Sequence, residues 1–386
     1  MNTTQTLSAE MQTFYEKTLI DQAEPKLVYD HFGDKYPIPK GSGKTIQFRR
    51  YSALPKADKP LVEGVTPSGN TLKVTADTAD IEQYGDYVQL SDVLKLSAID
   101  NNVLQVSRLL GAQAGRTLDS ITRDILCAGT NVCYAPGKNG AVSLRCELDE
   151  QSRLTADLFH GAAAQLAAMN ADTIEGSFVA IIHPYTAYDL MASKEWIESH
   201  KYASPEHIFR GEIGKIGNVR FVVSTEAKVL RSKDLADTRC LTVKAVSGKT
   251  VTLKETLSTE QARALTHRLV NIGEAVYEVE SAAANSITLD KAPTAAAEDP
   301  IYPAETGKKG LACFLTLVLG AHAYATTEIE GGGLTHIIKQ NGYGDDPLNQ
   351  RASVGWKATK AVKRLVEEYM IRIESTSEFS SNVEGN

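Results

Sequence analysis

Residues 100–126 read DNNVLQVSRLLGAQAGRTLDSITRDIL, and the apolar positions in this stretch recur at steps of three and four. They are Val103, Val106, Leu110, Ala114, Leu118, Ile121 and Ile125. This spacing places one apolar stripe along about seven turns of helix, and Gly129 is a typical stop signal. At 1.5 Å per residue the helix would be about 40 Å long, which suits a structural strut. Gly111 and Gly115 either allow another segment to approach closely or are tolerated at about 1 kcal/mol each.

The chain before this helix predicts an N-terminal arm followed by a hairpin. Residues 8–30 show helical stretches whose apolar face is formed by Met11, Phe14, Tyr15 and Leu19. Residues 45–51 alternate between apolar and polar as a strand does, residues 72–90 do so again, and prolines and glycines lie between them. Because an isolated hairpin is only marginally stable in water, we expect this one to lie against another protein surface.

The chain after the helix predicts a mixed α+β body. A polar stretch over 130–150 precedes a helix that Thr155 caps, and short apolar strands are expected at 178–182 and 219–223. A helix over 185–191 separates these two strands. Alternation of this kind is typical of a body in which helices cover a sheet.

The C-terminal region predicts two further strands and a tail. Residues 314–319 are apolar and indicate a return to the core, and residues 362–373 predict a final strand in which Tyr369, Ile371 and Ile373 alternate. The polar residues from Ser375 onward predict a loose tail.

Residues 233–306 differ from the rest of the chain in composition and contain a short internal sequence repeat, or echo. Val251-Thr252-Leu253-Lys254-Glu255 recurs as Ile287-Thr288-Leu289-Asp290-Lys291, and Val243 and Val279 precede the two copies at equal distances. Two similar hairpins at a fixed offset would form a small inserted β subdomain. The echo is short, so chance remains an alternative explanation at this point.

Composition places the chain among ordinary folded proteins. It has 386 residues, of which 42% are hydrophobic, and 48 acidic against 41 basic side chains give a net charge of −7. This excludes disordered and collagen-like classes, and the length predicts two or three domains or one elongated body with insertions. The acidic balance argues against a surface built to bind nucleic acid, because neutralising phosphates needs a basic patch.

No targeting or membrane segment is expected. The most apolar stretch, residues 311–325, is shorter than the roughly 20 residues that cross a bilayer, and the first residues lack the pattern of a secretion signal. We therefore expect the chain to be cytosolic when made. Five cysteines, an odd number spread over a long stretch, indicate reduced thiols rather than a disulfide framework.

One stretch invites a search for nucleotide chemistry. Gly41-Ser42-Gly43-Lys44-Thr45 resembles part of a phosphate-binding loop, but Ile38 occupies the position where that motif requires glycine. A strand rather than a helix is expected to follow it, which favours a simple turn. Gly211 to Gly217 likewise lacks the dinucleotide-binding spacing and predicts a turn.

Other chemistry-bearing patterns are also missing from the sequence. The eight histidines include no pair at helical spacing, and the cysteine spacings match no zinc motif, so no metal and no cofactor is expected. No serine, cysteine or lysine stands in a nucleophile motif, and we expect no catalytic residues. Carboxylates on the predicted strands favour solvent or intersubunit contacts over an acid/base pair; they are Asp77, Asp80, Glu82 and Asp86. Arms and extended loops suit a protein that buries them against copies of itself.

The order of several local phrases resembles the major capsid proteins of tailed bacteriophages, whose fold is shared with the herpesvirus capsid floor. The phrases are Leu61-Val62-Glu63-Gly64-Val65-Thr66-Pro67, Tyr84-Gly85-Asp86-Tyr87-Val88, His183-Pro184 with Tyr188-Asp189-Leu190, Gly211-Glu212-Ile213-Gly214 with Val219-Arg220-Phe221, and Asp346-Pro347-Leu348-Asn349-Gln350 with Gly355-Trp356-Lys357. The resemblance covers residues from about 25 to 375 except 233–306. Each phrase alone is weakly specific, whereas their joint order is specific.

The resemblance implies the α+β capsid fold with an N-terminal arm, an extended β-hairpin loop, a long spine helix, and peripheral and axial domains. The inserted small β subdomain departs from the family pattern and is expected from the residues alone. The expected segments are an N-terminal arm (1–43), the extended loop with its flanking strands (44–97), the spine helix of the peripheral domain (98–128), a surface excursion (129–152), the first part of the axial domain (153–232), the inserted β subdomain (233–306), the return of the axial domain (307–345), and the C-terminal strands and tail of the peripheral domain (346–386).

The resemblance also implies a structural protein and not an enzyme. Copies would form hexamers and pentamers of an icosahedral shell in the virion, assembled in the cytoplasm of the host bacterium around a packaged double-stranded DNA genome that is not bound specifically. Expected partners are a portal protein, a separate scaffolding protein and a possible decoration protein, with no membrane. Within the extended loop, contacts between subunits are expected from opposite charges, namely Arg49, Arg50, Lys56, Lys59, Glu63, Asp77 and Asp80.

Two alternatives remain open from the sequence. A nanocompartment shell protein would share the fold but enclose a cargo enzyme instead of a genome. A nucleotide-binding enzyme would use Lys44 and Thr45, and its ligand should stabilise it against heating.

Overall fold

The computed structural model describes residues 28–41, 43–51, 54, 56, 58, 60, 69–92, 102–193, 196, 212–231, 235, 240–273, 275–329, 333–339 and 348–386. These residues form a mixed α+β structure, as the sequence predicts. The helices are α1 (Asn102–Cys127), α2 (Ala156–Ala168), α3 (Pro184–Ala192) and α4 (Thr259–Leu265).

The strands number twenty within the described residues. They are β1 (Asp34–Lys35), β2 (Thr45–Tyr51), β3 (Val74–Asp80), β4 (Glu82–Ser91), β5 (Val132–Tyr134), β6 (Phe178–Ile182), β7 (Glu212–Ile216), β8 (Val219–Val223), β9 (Val229–Leu230), β10 (Leu241–Ser247), β11 (Thr250–Leu253), β12 (Leu269–Ile272), β13 (Ala275–Ala283), β14 (Ser286–Leu289), β15 (Pro300–Pro303), β16 (Cys313–Leu319), β17 (Tyr324–Thr327), β18 (Thr335–Lys339), β19 (Arg351–Arg364) and β20 (Met370–Ser375).

The chain divides into two compact units. The first unit contains the residues up to Ile125 together with His322–Val366, and the second contains Leu126–Ala321 together with Glu367–Asn386. The division into peripheral and axial domains stays a prediction.

Helix α1 and a five-stranded sheet form the core of the first unit. The sheet has the order β1-β17-β19-β18, and β4 pairs with β19 along ten residues, from Arg351 opposite Ser91 to Lys360 opposite Glu82. The predicted apolar stripe packs on this sheet, where Leu110 and Ala114 contact Val354, Trp356 and Ala358. The helix expected over 100–126 is therefore confirmed with a shift of one or two residues. Gly111 is exposed, and a Cβ atom at this position would meet no other segment within 4 Å, so this glycine is tolerated rather than required by a close approach.

The predicted hairpin is shorter than the alternation suggests. Only β3 pairs with β2, whereas β4 leaves the hairpin and joins the sheet beside β19. The change of partner occurs at Ile81, which lies with Ala79 in an apolar cluster that also contains Ile38 and Ala361. Alternation continues through both strands because each buries one face, and it therefore cannot show that the pairing partner changes.

The first described residues are held on α1 by a buried carboxylate. Asp119 Oδ1 accepts hydrogen bonds from the backbone N–H groups of Val28 (3.2 Å) and Tyr29 (2.8 Å). Thr122 Oγ1 donates to Asp30 Oδ1 (2.6 Å), and the buried Lys360 ammonium donates to the same carboxylate (2.6 Å). Burial raises the pKa of Asp119 to about 6, since water that would stabilise its charge is excluded.

The second unit is built on a seven-stranded sheet with the order β5-β20-β16-β6-β8-β7, to which β9 adds beside β16. All seven residues of β16 are buried, as the apolar stretch over 314–319 predicts. Helix α2 places Phe159 and Leu166 against Phe221 and other core residues of the sheet. The rings of Phe159 and Phe221 meet edge to face at 4.7 Å, a favourable aromatic geometry.

A buried ion cluster crosses this sheet. Glu374 is fully buried, and its two carboxylate oxygens accept hydrogen bonds from Arg145 Nε (2.6 Å) and Nη2 (2.7 Å). Arg372 Nη2 lies 3.0 Å from the same carboxylate. This double pairing compensates for the loss of water around Glu374.

The prediction of one strand over 362–373 is wrong. Strand β19 ends at Arg364, a short 3-10 turn covers Glu367–Tyr369, and β20 begins at Met370 in the other compact unit. The alternation of Ile371 and Ile373 is correctly assigned to a strand. Two consecutive strands have the same two-residue alternation, however, so the alternation by itself does not reveal the turn between them.

The prediction of a loose tail from Ser375 is also wrong. Thr376, Ser377 and Ser380 are almost fully buried. Their hydroxyl groups are satisfied inside the protein, as in the bond that Thr376 Oγ1 donates to the carbonyl of Asp149 (2.6 Å). A polar segment is expected to be exposed only when the protein interior offers no hydrogen-bond partners for its polar groups.

Residues 240–303 contain a closed six-stranded barrel with the order β10-β11-β14-β13-β12-β15. The interior is apolar and comes from this segment with Leu235, and it includes Val243, Leu253, Val279 and Leu289. The predicted hairpins are both present, one formed by β10 and β11 and the other by β13 and β14.

The two hairpins are related by an approximate twofold arrangement, which accounts for the echo in the sequence. Leu253 N–H donates to the carbonyl of Asn285 (2.8 Å), and Leu289 N–H donates to the carbonyl of Lys249 (2.9 Å). The register of each hairpin shifts at the same place, next to the pairs Val243–Leu253 and Val279–Leu289. The echo therefore corresponds to repeated structure rather than to chance.

Candidate assembly surface

The base of the β2–β3 hairpin is anchored by apolar contacts. The register runs from Thr45 opposite Asp80 to Tyr51 opposite Val74. Ile46 and Phe48 point to the side of the hairpin that packs on the apolar cluster around Ala79. This alternation is the one that the sequence predicts over 45–51, and it fixes the orientation of the strand.

The far end of the hairpin exposes an apolar patch. Four large apolar side chains there are between 49% and 69% exposed, namely Tyr51, Leu54, Leu72 and Val74. Tyr51 and Val74 are direct cross-strand neighbours. Large apolar side chains exposed together at one end of a hairpin favour contact with another molecule. The sequence identified this segment as an extended loop but not these four residues, although their apolar character within a Pro-rich stretch was a usable signal.

The basic residues expected at an interface lie beside this patch. Arg49, Arg50 and Lys56 are all exposed, and Arg49 Nη2 donates to Gln47 Oε1 (3.3 Å). Lys59 and Glu63, which the sequence analysis also assigned to the interface, lie outside the described residues.

The acidic residues of the same set already have partners within the chain. Asp80 Oδ1 accepts a hydrogen bond from Thr45 Oγ1 (2.6 Å), and an Asp77 carboxylate oxygen lies 3.9 Å from Lys363 Nζ. Asp77 shares one face of the hairpin with Arg50, whereas Asp80 shares the other face with Arg49, because side chains alternate along each strand. The structure thus places the predicted charges on both faces rather than in one cluster.

A cleft of about 440 Å³ borders the base of the hairpin within the first unit. Phe48, Arg50 and Asp77 line it from the hairpin, and Asp34 and His322 line it from the opposite side. His322 Nδ1 lies 2.8 Å from Asp34 Oδ2, so this wall carries its own ion pair when the imidazole is protonated.

A second exposed patch lies on the second unit and consists of aromatic side chains. Tyr185 and Tyr188 of α3 contact Phe379, with ring centroids at 4.6 Å and 5.6 Å. All three rings are between 37% and 52% exposed. The spacing of the two tyrosines on one helical face was visible in the sequence, but the contribution of Phe379 was not, since it comes from the C-terminal segment.

His183 lies beneath this aromatic patch and caps α3. Its Nδ1 accepts a hydrogen bond from the backbone N–H of Tyr185 (3.2 Å). Burial lowers the pKa of His183 to about 4, so the ring is neutral at neutral pH and can act as an acceptor there. Its role is to start the helix after the buried strand β6.

The described residues show no arrangement suited to nucleotide or metal chemistry. Thr45 begins strand β2 directly after Lys44, whereas a phosphate-binding loop requires a helix at that point. No group of three His, Cys, Asp or Glu side chains within the described residues could hold a metal ion. None of the five cysteines forms a disulfide bond. None of the helices in the described part of the chain is long and apolar enough to cross a bilayer.

Comparison with known proteins finds matches in structure only. No family model and no curated protein matches the sequence. The chain is similar to one in the capsid structure of the cyanophage P-SCSP1u, with a TM-score of 0.57, 13% identity, and 95% of this chain and 93% of that chain covered.

Two further capsid structures give the same result. The capsid of Ralstonia phage GP4 matches with a TM-score of 0.57 and 12% identity over 95% of each chain. The mature capsid of bacteriophage PhiM1 matches with a TM-score of 0.52 and 11% identity over 94% of this chain and 91% of that chain. The chain therefore shares the fold of the chains in these phage capsid structures.

Proposed function

We propose that the chain is the major capsid protein of a tailed bacteriophage. Copies of it would assemble into hexamers and pentamers that tile an icosahedral shell around a double-stranded DNA genome. The observation that carries this proposal is the hairpin end, where Tyr51, Leu54, Leu72 and Val74 expose apolar surface on a chain with a capsid fold. A single subunit leaves this surface in water, whereas a shell would bury it against a neighbour.

Shell assembly is physically consistent with such a surface. Obligate interfaces between subunits commonly bury on the order of 2,000–5,000 Å², far more than one hairpin end can supply. In a closed shell each subunit makes several contacts at once, so that modest individual contacts combine into a stable assembly. The apolar end would provide burial, and the charged residues around it would set the orientation of the neighbouring subunit.

The charged residues assigned to this contact are those that the sequence indicates, namely Arg49, Arg50, Lys56, Lys59, Glu63, Asp77 and Asp80. Arg49, Arg50 and Lys56 are exposed and form the basic side of the contact. Asp77 and Asp80 form the acidic side of the contact, and each already has a partner in its own chain. On assembly these two carboxylates would either leave that partner for a basic residue of the neighbouring subunit or bind both at once.

The further partners are proposed from the same fold. They are a portal protein, a scaffolding protein and a possible decoration protein, with assembly in the cytoplasm of the host bacterium and a final location in the virion capsid. The packaged DNA would not be bound specifically, because a net charge of −7 disfavours tight contact with phosphates.

Electron microscopy of the purified chain tests the proposal directly. The chain would be expressed alone and together with its neighbouring genes, and each sample would also be analysed by sedimentation. Closed shells or capsomer rings are expected. A uniform small species under every condition would contradict the proposal, and shells filled by a neighbouring cargo enzyme would instead indicate a nanocompartment.

Charge reversal at the hairpin tests the contact itself. Replacing Arg49 and Arg50 with glutamate should abolish shells, because like charges would face each other across the contact, while the circular dichroism spectrum stays unchanged. The matched control replaces the exposed barrel residues Lys244 and Lys291 with glutamate and should still assemble. Intact shells from the hairpin variant would show that these arginines do not form the contact.

A further inference from the structure

A lysine and an aspartate that are far apart in the sequence meet inside the first unit. Lys360 Nζ lies 2.6 Å from Asp30 Oδ1 and 2.5 Å from Asp30 Oδ2, although 330 positions separate the two residues. The Lys360 side chain is only 7% exposed, and it also donates to the carbonyl of Leu118 (2.8 Å). The amine is therefore held against both oxygens of one carboxyl group.

This arrangement suits a reaction between the two groups as well as an ion pair. An amine at hydrogen-bond distance from both oxygens of a carboxyl group lies within about 3.5 Å of its carbon, which is the separation of reacting atoms in a near-attack arrangement. Burial lowers the pKa of the Lys360 ammonium, because water that would stabilise its charge is excluded. The neutral amine, which is the nucleophilic form, is therefore more accessible here than on the protein surface.

A buried hydroxyl group polarises the carboxyl group that faces the amine. Thr122 is fully buried, and its Oγ1 donates a hydrogen bond to Asp30 Oδ1 (2.6 Å). A donor at this oxygen stabilises the negative charge that develops on it when a nucleophile adds to Cγ. Oδ1 is therefore the oxygen that stays on the carbon, and Oδ2 is the one that can leave.

A second buried carboxyl group can carry protons for this pair. Asp119 lies one helical turn before Thr122 and is 1% exposed. Its Oδ1 accepts from two backbone N–H groups, whereas its Oδ2 has no hydrogen-bond partner within the residues that the structure describes. Burial raises its pKa to about 6, and Asp30 and Lys360 lie close enough for their charges to act on it in opposite directions. The Asp119 side chain therefore gains and releases a proton close to neutral pH.

A cavity of about 400 Å³ opens beside the pair within the first unit. Asp30 and Lys360 line it together with Lys35 and Glu328, and the Asp30 side chain is 33% exposed. A water molecule released between the amine and the carboxyl group therefore has a path out of the interior, which a close-packed core would not provide.

We propose that Lys360 and Asp30 of the same chain join in an amide bond, with Asp119 as the proton carrier. Lys360 passes one proton to Asp30 Oδ2, and the freed lone pair of the nitrogen forms a bond to Cγ. The nitrogen then loses a second proton, which Asp119 delivers to Oδ2, and the Cγ–Oδ2 bond breaks so that this oxygen leaves as water. An ammonium and a carboxylate thus become one amide and one water molecule, and no further reactant is needed.

The product changes both the charge and the connectivity of the first unit. A neutral amide replaces a buried ion pair, whose removal from water is costly. The bond ties the segment before β1 to β19, and because it is covalent it persists when the protein is denatured. This inference rests on the contacts of Asp30, Lys360 and Asp119 and does not depend on the proposed capsid function.

Peptide mass spectrometry of the full chain tests for the bond. Trypsin does not cleave after an acylated lysine, so the expected product is a branched peptide that joins residues 27–35 to residues 358–363 and has lost one water molecule. It should come from material that migrates as a monomer on a denaturing gel. Two separate peptides with cleavage after Lys360 would overturn the proposal, and a branched peptide confined to dimers would overturn the assignment to one chain.

Substitution of the lysine provides a matched pair of variants. Lys360→Arg keeps a positive charge beside Asp30 but should give no branched peptide. The control Lys363→Arg changes a lysine three residues away, leaves a trypsin site in place and should give the branched peptide as before. A branched peptide that contains residue 30 in the Lys360→Arg variant would show that another lysine is the reactant.

The Asp119→Asn variant tests the proton carrier. Asparagine keeps an oxygen for the backbone N–H groups of Val28 and Tyr29 but cannot pass protons, so the linked fraction after equal times should fall by about tenfold or more. Hydrogen exchange at Val28 and Tyr29 is compared with that of Lys360→Arg, which is also unlinked. Loss of the link with equal protection supports the role of Asp119. An unchanged linked fraction, or a loss of protection together with the link, would contradict that role.

Discussion

Leu253 and Leu289 occupy equivalent positions in the two hairpins of the barrel, and replacing either with alanine should destabilise the barrel by a similar amount. Leu253 is 2% exposed and Leu289 is fully buried, and both belong to the same apolar interior. Their backbone N–H groups donate to equivalent carbonyls, and each is paired with a valine next to a register shift. The environments of the two side chains are therefore closely matched.

The expected magnitude follows from burial. Truncation of a fully buried leucine removes its transfer free energy and leaves a cavity, which together cost about 2–5 kcal/mol. Because the two sites share interior and geometry, we expect the two costs to agree to within about 1 kcal/mol. The control is Leu269→Ala, which removes a leucine that is 45% exposed and should cost less than about 1 kcal/mol.

Hydrogen exchange followed by mass spectrometry measures this effect locally. Peptides covering 241–253 and 279–289 report the free energy of opening of each hairpin. Since the barrel is closed, each substitution should lower protection in both peptides. A loss of several kcal/mol at one leucine with little change at the other would refute the twofold argument. A loss confined to the substituted hairpin would refute the cooperative closed barrel.

Three other outcomes are expected. Because burial raises the pKa of Asp119 to about 6, its ionisation disfavours the folded state, so the contribution of Asp119 to stability is greatest below about pH 4 and decreases as the pH rises from about 4 to 6. Asp119→Asn should remove this loss of roughly 3 kcal/mol, measured by urea unfolding between pH 4 and 7. Glu374→Gln should cost about 3–5 kcal/mol in the same assay at neutral pH, since it leaves two arginines without their buried partner, and a cost below 1 kcal/mol would contradict this account. Replacing Leu54 and Leu72 with serine should prevent shell formation in electron micrographs without changing folding, whereas Leu144→Ser, at an exposed site elsewhere, should leave assembly intact.

Sequence patterns predict the structure correctly where one apolar periodicity belongs to a single helix or strand. The helix over 102–127 and the fully buried strand β16 were predicted closely, because each buries a continuous apolar surface. The barrel hairpins were indicated by an echo in the sequence, because equivalent positions in a repeated structure meet equivalent packing requirements. Errors arose at junctions, as where β4 leaves the hairpin at Ile81 and where β19 and β20 separate before Met370.

The candidate surface was predicted only in outline. Sequence placed charges and an extended loop over residues 44–97, and the structure shows Arg49 and Arg50 exposed there. The apolar end formed by Tyr51 and Val74 depends on cross-strand pairing, which brings together residues far apart in sequence. The aromatic contact between Tyr185 and Phe379 depends on the return of the C-terminal segment to α3.

The sequence by itself determined the α+β class, the long helix, the repeated hairpins and, through a resemblance in the order of short phrases, the capsid fold. These features follow from local propensity and from apolar period, which each segment carries independently of its partners. Tertiary structure alone decided which strand pairs with which, that the polar tail is buried, and that the side chains of Glu374 and Asp119 lie in the interior. Such choices depend on the free energy of contacts between distant segments, and no local pattern encodes the partner that a buried charge or a strand edge will meet.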